Sequence, residues 1–163
     1  APIIILDNNG GFNAQMTLAE FPDAQAHVEY RASMRSSRMM DPSARTTSPY
    51  YRSRNYTRML QSGTAALVNG VAYRSVDGHA RGVRELTRIL PSAQFHRRWL
   101  LQEVLPAANR GERFVVIHRW GRWKPATDVF EGHPNAIFST AQISKDLSRQ
   151  ELAAAEAFLL KRR

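Results

Sequence analysis

Cysteine is absent from this chain of 163 residues. Its absence excludes disulfide bonds, thiolate nucleophiles, dithiol redox motifs and zinc sites built on cysteine. Long hydrophobic runs are missing too, since a helix that crosses a bilayer needs about 20 consecutive apolar residues, so no membrane insertion is expected. The histidines lack the short spacings of metal ligands, so no metal site is expected. No other cofactor is expected either.

Acidic residues are scarce, 14 against 23 basic ones, and 20 of the basic residues are arginine. The net charge is +9, and the pI is near 10.8. This excess favours a nucleic-acid partner, because the guanidinium fork matches phosphate oxygens and stacks on bases. The alternative is a basic protein whose charge serves no partner. The length fits one domain with an extension, or two very small domains.

Residues 31–58 differ from the rest of the chain in having few large aliphatic side chains and a single acid, Asp41. Such a segment cannot bury enough apolar surface to fold alone. Tyr50, Tyr51 and Tyr56 are interleaved with arginines, and this mixture suits phosphates and unpaired bases. We predict an RNA-binding arm here, with a solvated linker or the remnant of a targeting sequence as the alternatives. Its seven arginines are Arg31, Arg35, Arg38, Arg45, Arg52, Arg54 and Arg58.

The first residues contain a short β-branched run, Ile3, Ile4 and Ile5, followed by turn-forming residues 7–11. The run predicts a short edge strand or an extended segment docked on a neighbouring molecule. We therefore assign residues 1–54 to an N-terminal extension, largely extended or irregular, that contacts RNA and protein. Residues 55–163 are assigned to a folded domain with a leading helix.

Hydrophobic periodicity and turn residues predict the elements of that domain. Ser148 and Glu151 form a capping box that marks the start of the last helix. Phe95, Trp99 and Leu101 are expected on the buried stripe of the preceding helix. The predicted helices cover residues 55–68, 94–109 and 149–160, the predicted strands cover 71–76, 114–117, 127–130 and 136–143, and residues 82–90 form a strand or a short helix.

A basic, aromatic loop, residues 118–125, joins the strands predicted at 114–117 and 127–130. Its arginines and lysine suit phosphates, and a tryptophan could stack on a base or wedge against a protein. Either tryptophan could instead fold back onto the sheet. The loop is interpreted as a docking surface and not as an active site. Its predicted RNA-binding residues are Arg119, Trp120, Arg122, Trp123 and Lys124.

Several short motifs occur together in the second half of the chain. Residues 93–100 combine a small residue, Arg97, Trp99 and an aliphatic residue at the start of a helix, and residues 104–106 read Val-Leu-Pro. A hydrophobic strand and a basic, proline-containing turn, residues 119–125, follow. These motifs resemble the thioredoxin-like domain shared by two mitochondrial ribosomal proteins and an accessory subunit of respiratory complex I. The likeness spans roughly residues 50–160 and is greatest to the small-subunit ribosomal member.

The alternating order of the predicted strands and helices fits an α/β fold. The resemblance implies the same class, a small thioredoxin-like sandwich with a mixed four-stranded sheet and helices, preceded by the extended Arg-rich N-terminal arm. It implies a structural constituent of the mitochondrial ribosome, in the matrix, that docks on ribosomal RNA and neighbouring ribosomal proteins. Arg97 is then a further RNA-binding residue, and neither catalytic residues nor a small-molecule substrate are expected.

Two other functions remain open. One is an accessory structural subunit of respiratory complex I, whose partners would be subunits of that complex. The other, less expected, is a basic ribonuclease-type enzyme. Its acid–base and phosphate-binding groups would come from His96, His118, His133, Arg119 and Glu131.

Overall fold

The computed structural model describes residues 1–11, 13–35, 41, 43–75, 81–140 and 144–162. Helices and strands alternate along the chain, which confirms the α/β class. In chain order the elements are β1 (Ile3–Gly11), α1 (Ala14–Glu20), α2 (Ala24–Arg35), α3 (Pro49–Arg52), α4 (Thr57–Gln61), β2 (Ala65–Ser75), α5 (Arg81–Ile89), α6 (Pro91–Trp99), a π-helical segment (Leu100–Val104), α7 (Leu105–Asn109), β3 (Phe114–Ile117), a 3-10 helix (Asp128–Phe130), β4 (Ala136–Phe138) and α8 (Arg149–Leu160).

The four strands form one sheet in the order β2-β1-β3-β4, and each neighbouring pair is parallel. The prediction of a mixed sheet is therefore wrong. Ile3 lies opposite Ala65 of β2 on one side and Phe114 of β3 on the other. The chain winds from β1 to β2 and then crosses back over β1 to β3. This reversal makes the sheet doubly wound, with its switch point between β1 and β3.

The prediction of an edge strand at the N-terminus is also wrong, because β1 is an inner strand. Ile3, Ile4, Ile5 and Leu6 are all buried. A continuous apolar run is typical of a parallel strand that helices cover on both faces. The expected extended arm is not confirmed either, since α1, α2 and α3 occupy much of the segment that follows β1.

Two hydrophobic clusters cover the two faces of the sheet. On the first face, Ile3 and Ile5 pack with Tyr56 beside α4 and with Phe158 of α8. On the second face, Ile4 and Leu6 pack with side chains from two regions, residues 100–108 and residues 123–130. These side chains are Leu100, Val104, Ala108, Trp123, Ala126 and Phe130. Each fully buried large aliphatic side chain contributes roughly 1.5–3 kcal/mol, so this double layer holds the central strands in place.

Residues 127–130 do not form the predicted strand. Backbone N–H groups of Trp123 and Ala126 donate to the carbonyls three residues earlier, giving successive turns that lead into the 3-10 helix. The physical reason is that β4 already pairs with the free edge of β3. Ala126 and Phe130, four residues apart, instead pack into the core of the second face.

Other boundaries also differ from expectation. The helix expected at 55–68 ends at Gln61, where Gly63 takes a positive φ of 71° before β2 begins. The strand expected at 71–76 therefore begins earlier, at Ala65. The segment expected to be a strand or a short helix at 82–90 is helical up to Ile89, in α5. The strand expected at 136–143 ends at Phe138, and its last three residues lie outside the described part of the chain.

The last helix begins as predicted. The Ser148 hydroxyl accepts the backbone N–H of Glu151, and the Glu151 carboxylate accepts the backbone N–H of Ser148. This capping box opens α8, which spans Arg149–Leu160. In the part of the chain that the structure describes, no helix is long and apolar enough to cross a membrane.

Candidate functional site

Some arginines of the predicted arm form hydrogen bonds or ion pairs with the protein, and others are exposed without an ion pair. Arg31 and Arg35 are exposed on α2, and Arg58 is exposed on α4. Across the described ranges, none of these three forms an ion pair. Arg38 lies outside the described residues.

Arg45 is engaged with two carboxylates beside and within α2. Its Nη1 lies 3.0 Å from Asp23 Oδ2, and its Nε and Nη2 donate to the two carboxylate oxygens of Glu29 at 2.8 and 2.9 Å. The Ala26 backbone N–H and then Arg45 hold the pKa of Asp23 below its usual range. Arg45 does the same to the pKa of Glu29. One guanidinium group thus pairs with both acids near α2 and offsets half of their negative charge.

Arg52 and Arg54 stabilise the conformation of the segment between α2 and α4. Arg52 Nη2 donates to the backbone carbonyls of residues 44, 45 and 47 at 3.0 to 3.1 Å. The guanidinium of Arg54 lies 4.7 Å from the centre of the Tyr50 ring and 3.6 Å from Asp146 Oδ2. These two arginines therefore organise the fold, which the composition of residues 31–58 did not indicate.

Trp123 folds back onto the sheet and is fully buried. Its indole N–H donates to the carbonyl of Asp7 at 2.7 Å. Gly70 of β2 permits this position, because a Cβ atom there would lie 3.0 Å from the indole nitrogen. Trp123 is therefore a core residue that cannot stack on a base, whereas it was predicted to bind RNA.

Trp120 and Lys124 occupy the outer part of the same loop. Trp120 is half-buried, and the ammonium group of Lys124 lies 4.6 Å from its ring centre. The ammonium group also lies 3.4 Å from Asp128 Oδ1. The backbone N–H of Arg122 donates to Asn8 Oδ1 at 3.1 Å, which ties the loop to the end of β1.

Asp7 follows Leu6, the last residue of β1 that pairs with β3, and Arg119 comes two residues after the end of β3, so both lie at the switch point of the sheet. Doubly wound sheets commonly bind ligands there. Arg119 Nε is 3.4 Å from Asp7 Oδ1, and Arg119 Nη2 donates to the Ser144 carbonyl at 2.9 Å. The charge of Arg119 is thus balanced within the protein.

His118 and Glu151 form a buried pair under the first face. His118 Nδ1 is 3.0 Å from Glu151 Oε1, and its Nε2 is 3.0 Å from the Ser144 carbonyl. Two acceptors on one ring favour the doubly protonated imidazolium. Burial acts to lower the pKa of His118, but the hydrogen bond and charge of Glu151 outweigh it and raise that pKa. Burial likewise opposes ionisation of Glu151, yet hydrogen bonds from His118 and Ser148 lower its pKa.

The histidines of the ribonuclease hypothesis are held apart. His118 pairs on the first face, while His96 stacks on Trp123 of the second-face core with 6.1 Å between ring centres. His133 bonds to Asn109 Oδ1 and to the backbone N–H of Asn135. Within the described ranges, no three His, Asp or Glu side chains are grouped as a metal site.

Arg97 lies beside a groove that the sequence did not reveal. Its Nη1 donates to the carbonyls of Thr87 and Arg122 at 3.0 and 3.3 Å, and its Nη2 donates to that of Arg88 at 3.3 Å. The groove has a volume of about 370 Å³, and it is lined by Gln94, Arg97, Arg98, Leu101, Pro125, Ala126 and Val129.

Phe95 and Leu101 are exposed near this groove, whereas both were expected on the buried helix stripe. The π-helical segment Leu100–Val104 explains the exposure of Leu101, whereas Phe95 lies before it in α6. Its wider turns rotate later residues away from the positions that a continuous α-helix would give them. Trp99 does pack against the core of the second face, as expected.

Comparisons with protein-family models, with curated proteins and with solved structures found no match for this chain.

Proposed function

We propose that this protein binds RNA without catalysing a reaction, as a structural constituent of the mitochondrial ribosome. Its partners would be ribosomal RNA and neighbouring ribosomal proteins in the matrix. The resemblance of its sequence motifs to the ribosomal family supports a place in the mitochondrial ribosome. The charge distribution around α2 supports the binding of RNA. The proposal needs no thioredoxin-like strand order, because the arginines concerned lie outside the sheet.

The C-terminal part of α2 provides the main support for the proposed RNA interface. Arg31 and Arg35 are four residues apart, so they lie one turn apart on the same side of the helix, and both are exposed. The carboxylates at the start of α2 and within it, Asp23 and Glu29, are already paired with Arg45. Arg31, Arg35 and Arg45 outnumber these two carboxylates, so the surface of this helix stays positive, and a positive field attracts a polyanion.

The contacts of Arg45 and Arg52 also order residues 43–54 before any partner binds. A disordered arm would lose conformational entropy on binding RNA. A surface that is already folded avoids most of that cost, so few exposed arginines suffice. Arg58 adds a third exposed charge on α4, in the same connection between β1 and β2.

Charge reversal on α2 tests the RNA interface. We expect Arg31→Glu with Arg35→Glu to weaken binding to a ribosomal RNA fragment at least tenfold, because two phosphate contacts become repulsive. The slope of log affinity against log salt should fall by roughly 1.5, near 0.7–0.9 for each lost contact. Fluorescence anisotropy at several salt concentrations measures both quantities.

Arg149→Glu with Lys161→Glu is the matched control, because it changes the net charge equally at two exposed positions of α8 and its end. An equal loss of affinity in the control would show that only net charge matters and would refute the α2 interface. A binding constant that does not change with salt would refute RNA binding itself.

Sedimentation of the native protein tests the setting. On a gradient of mitochondrial lysate, we expect the protein to travel with ribosomal particles and to be released by ribonuclease. Migration with complex I that ribonuclease leaves unchanged would instead favour the accessory-subunit alternative.

A further inference from the structure

The groove between α6 and residues 125–129 is separate from the arginines of α2. One wall contains Gln94, Arg97, Arg98 and Leu101, and the other contains Pro125, Ala126 and Val129. Its volume of about 370 Å³ falls within the 300–1,000 Å³ that is typical of binding sites. It can therefore accept more than a single small side chain.

Aliphatic side chains form much of the surface of this groove. Leu101 is 38% exposed and Val129 is 50% exposed, and they face the groove from opposite walls. Single exposed hydrophobic residues are common, but Leu101 and Val129 share one concave surface, which indicates a binding site.

The charge of the groove is of one sign. Arg98 is exposed and, among the residues that the structure describes, forms no ion pair. Arg97 donates only to backbone carbonyls, so no carboxylate cancels its charge. Asp and Glu are both absent from the lining, and the nearby Asp128 is already paired with Lys124.

We propose that this groove binds an acidic amphipathic segment of a protein partner. Apolar side chains of that segment enter between Leu101 and Val129, and its carboxylates pair with Arg98 and Arg97. Helices that dock into grooves use this combination of apolar anchors and flanking charges. An RNA base fits less well, because the lining contains no aromatic ring on which a base could stack.

A synthetic peptide tests the proposal with the full chain. The probe is a labelled helix-forming peptide with leucines at positions i, i+3, i+4 and i+7 and glutamates beside them. Two control peptides replace the leucines by serine or the glutamates by lysine. By fluorescence anisotropy, we expect the acidic amphipathic peptide to bind at least tenfold more tightly than either control. A dissociation constant weaker than about 1 mM, or equal binding of the lysine peptide, would overturn the proposal.

Variants of exposed residues locate the binding surface. Val129→Asp and the uncharged Val129→Ser should both weaken peptide binding, the first at least tenfold. Arg98→Glu should weaken binding of the glutamate peptide and improve binding of the lysine peptide. Leu160→Asp, at an apolar residue of α8 that is also exposed, is the matched control and should change nothing. Circular dichroism checks that each variant folds.

Binding of RNA in this groove is the outcome that would contradict the proposal. Arg31→Glu with Arg35→Glu should leave peptide binding unchanged, which separates this groove from the RNA interface proposed above. If Val129→Ser instead weakens binding of an RNA oligonucleotide while peptide binding stays the same, the groove is an RNA site and the proposal is wrong.

Discussion

Two ion-paired groups in this protein have nearly the same geometry and opposite surroundings. The His118–Glu151 pair is separated by 3.0 Å and is buried, with each side chain 1% exposed. The pairs of Arg45 with Asp23 and Glu29 have separations of 3.0 and 2.8 Å, and their side chains are about half exposed. Distance alone therefore says little about what each pair does.

The two groups differ in how far solvent reaches their charges. Water screens the charges of Arg45, Asp23 and Glu29, so holding two long side chains together there gains little stability. Burial removes that screening and also removes hydration, so each buried charge depends on its partner. The buried pair is thus required by the fold, whereas the exposed group mainly shapes the surface charge.

Removing one partner of the buried pair should have the largest effect. Glu151→Ala leaves His118 without its carboxylate and also removes the capping box of α8. We expect the free energy of unfolding to fall by about 3–5 kcal/mol, measured by urea denaturation. Glu156→Ala, at an exposed acid of the same helix, should cost far less. Similar losses in the two variants would mean that helix α8, and not the buried pair, is the sensitive feature.

The buried pair should also make stability depend on pH. The pKa of His118 is raised above its ordinary value of 6.5, so its contribution is complete below about pH 6.5 and is lost as the pH rises through the folded pKa. The pKa of Glu151 is lowered from 4.5, so its contribution is present above about pH 4.5 and is lost as the pH falls through the folded value.

Stability due to this pair should therefore be greatest between about pH 4.5 and 6.5. Urea denaturation from pH 4 to pH 9 measures the profile, and His118→Gln should remove the decline on its alkaline side. If the decline remained unchanged in this variant, another group would have to cause it.

Sequence reasoning succeeded where the determining contacts are local. Ser148 and Glu151 are three residues apart, and their reciprocal hydrogen bonds alone mark the start of α8. The run Phe114–Ile117 forms a buried strand because all four residues are apolar. The alternation of strand-like and helix-like segments was enough to identify the α/β class.

Contacts between distant residues could not be predicted in this way. Trp123 donates to the carbonyl of Asp7, 116 positions away, and its burial depends on Gly70 in a third segment. His118 was grouped with Glu131, which is near in sequence, but it pairs with Glu151. The composition of residues 31–58 revealed their charge. It could not show that Arg45 forms ion pairs with Asp23 and Glu29.

The exposed group gives the smallest expected change in stability and a separate test of function. Arg45→Ala should leave the melting temperature nearly unchanged, because water already screens its pairs. It should nevertheless weaken RNA binding several-fold, since Asp23 and Glu29, at the start of α2 and within it, lose the cation that offsets their charge. Adding Asp23→Asn and Glu29→Gln to this variant should restore the affinity, measured by anisotropy as before. If affinity stayed low in the triple variant, Arg45 would act on RNA binding in another way, by direct contact or by ordering residues 43–54, and the charge explanation would fail at that residue.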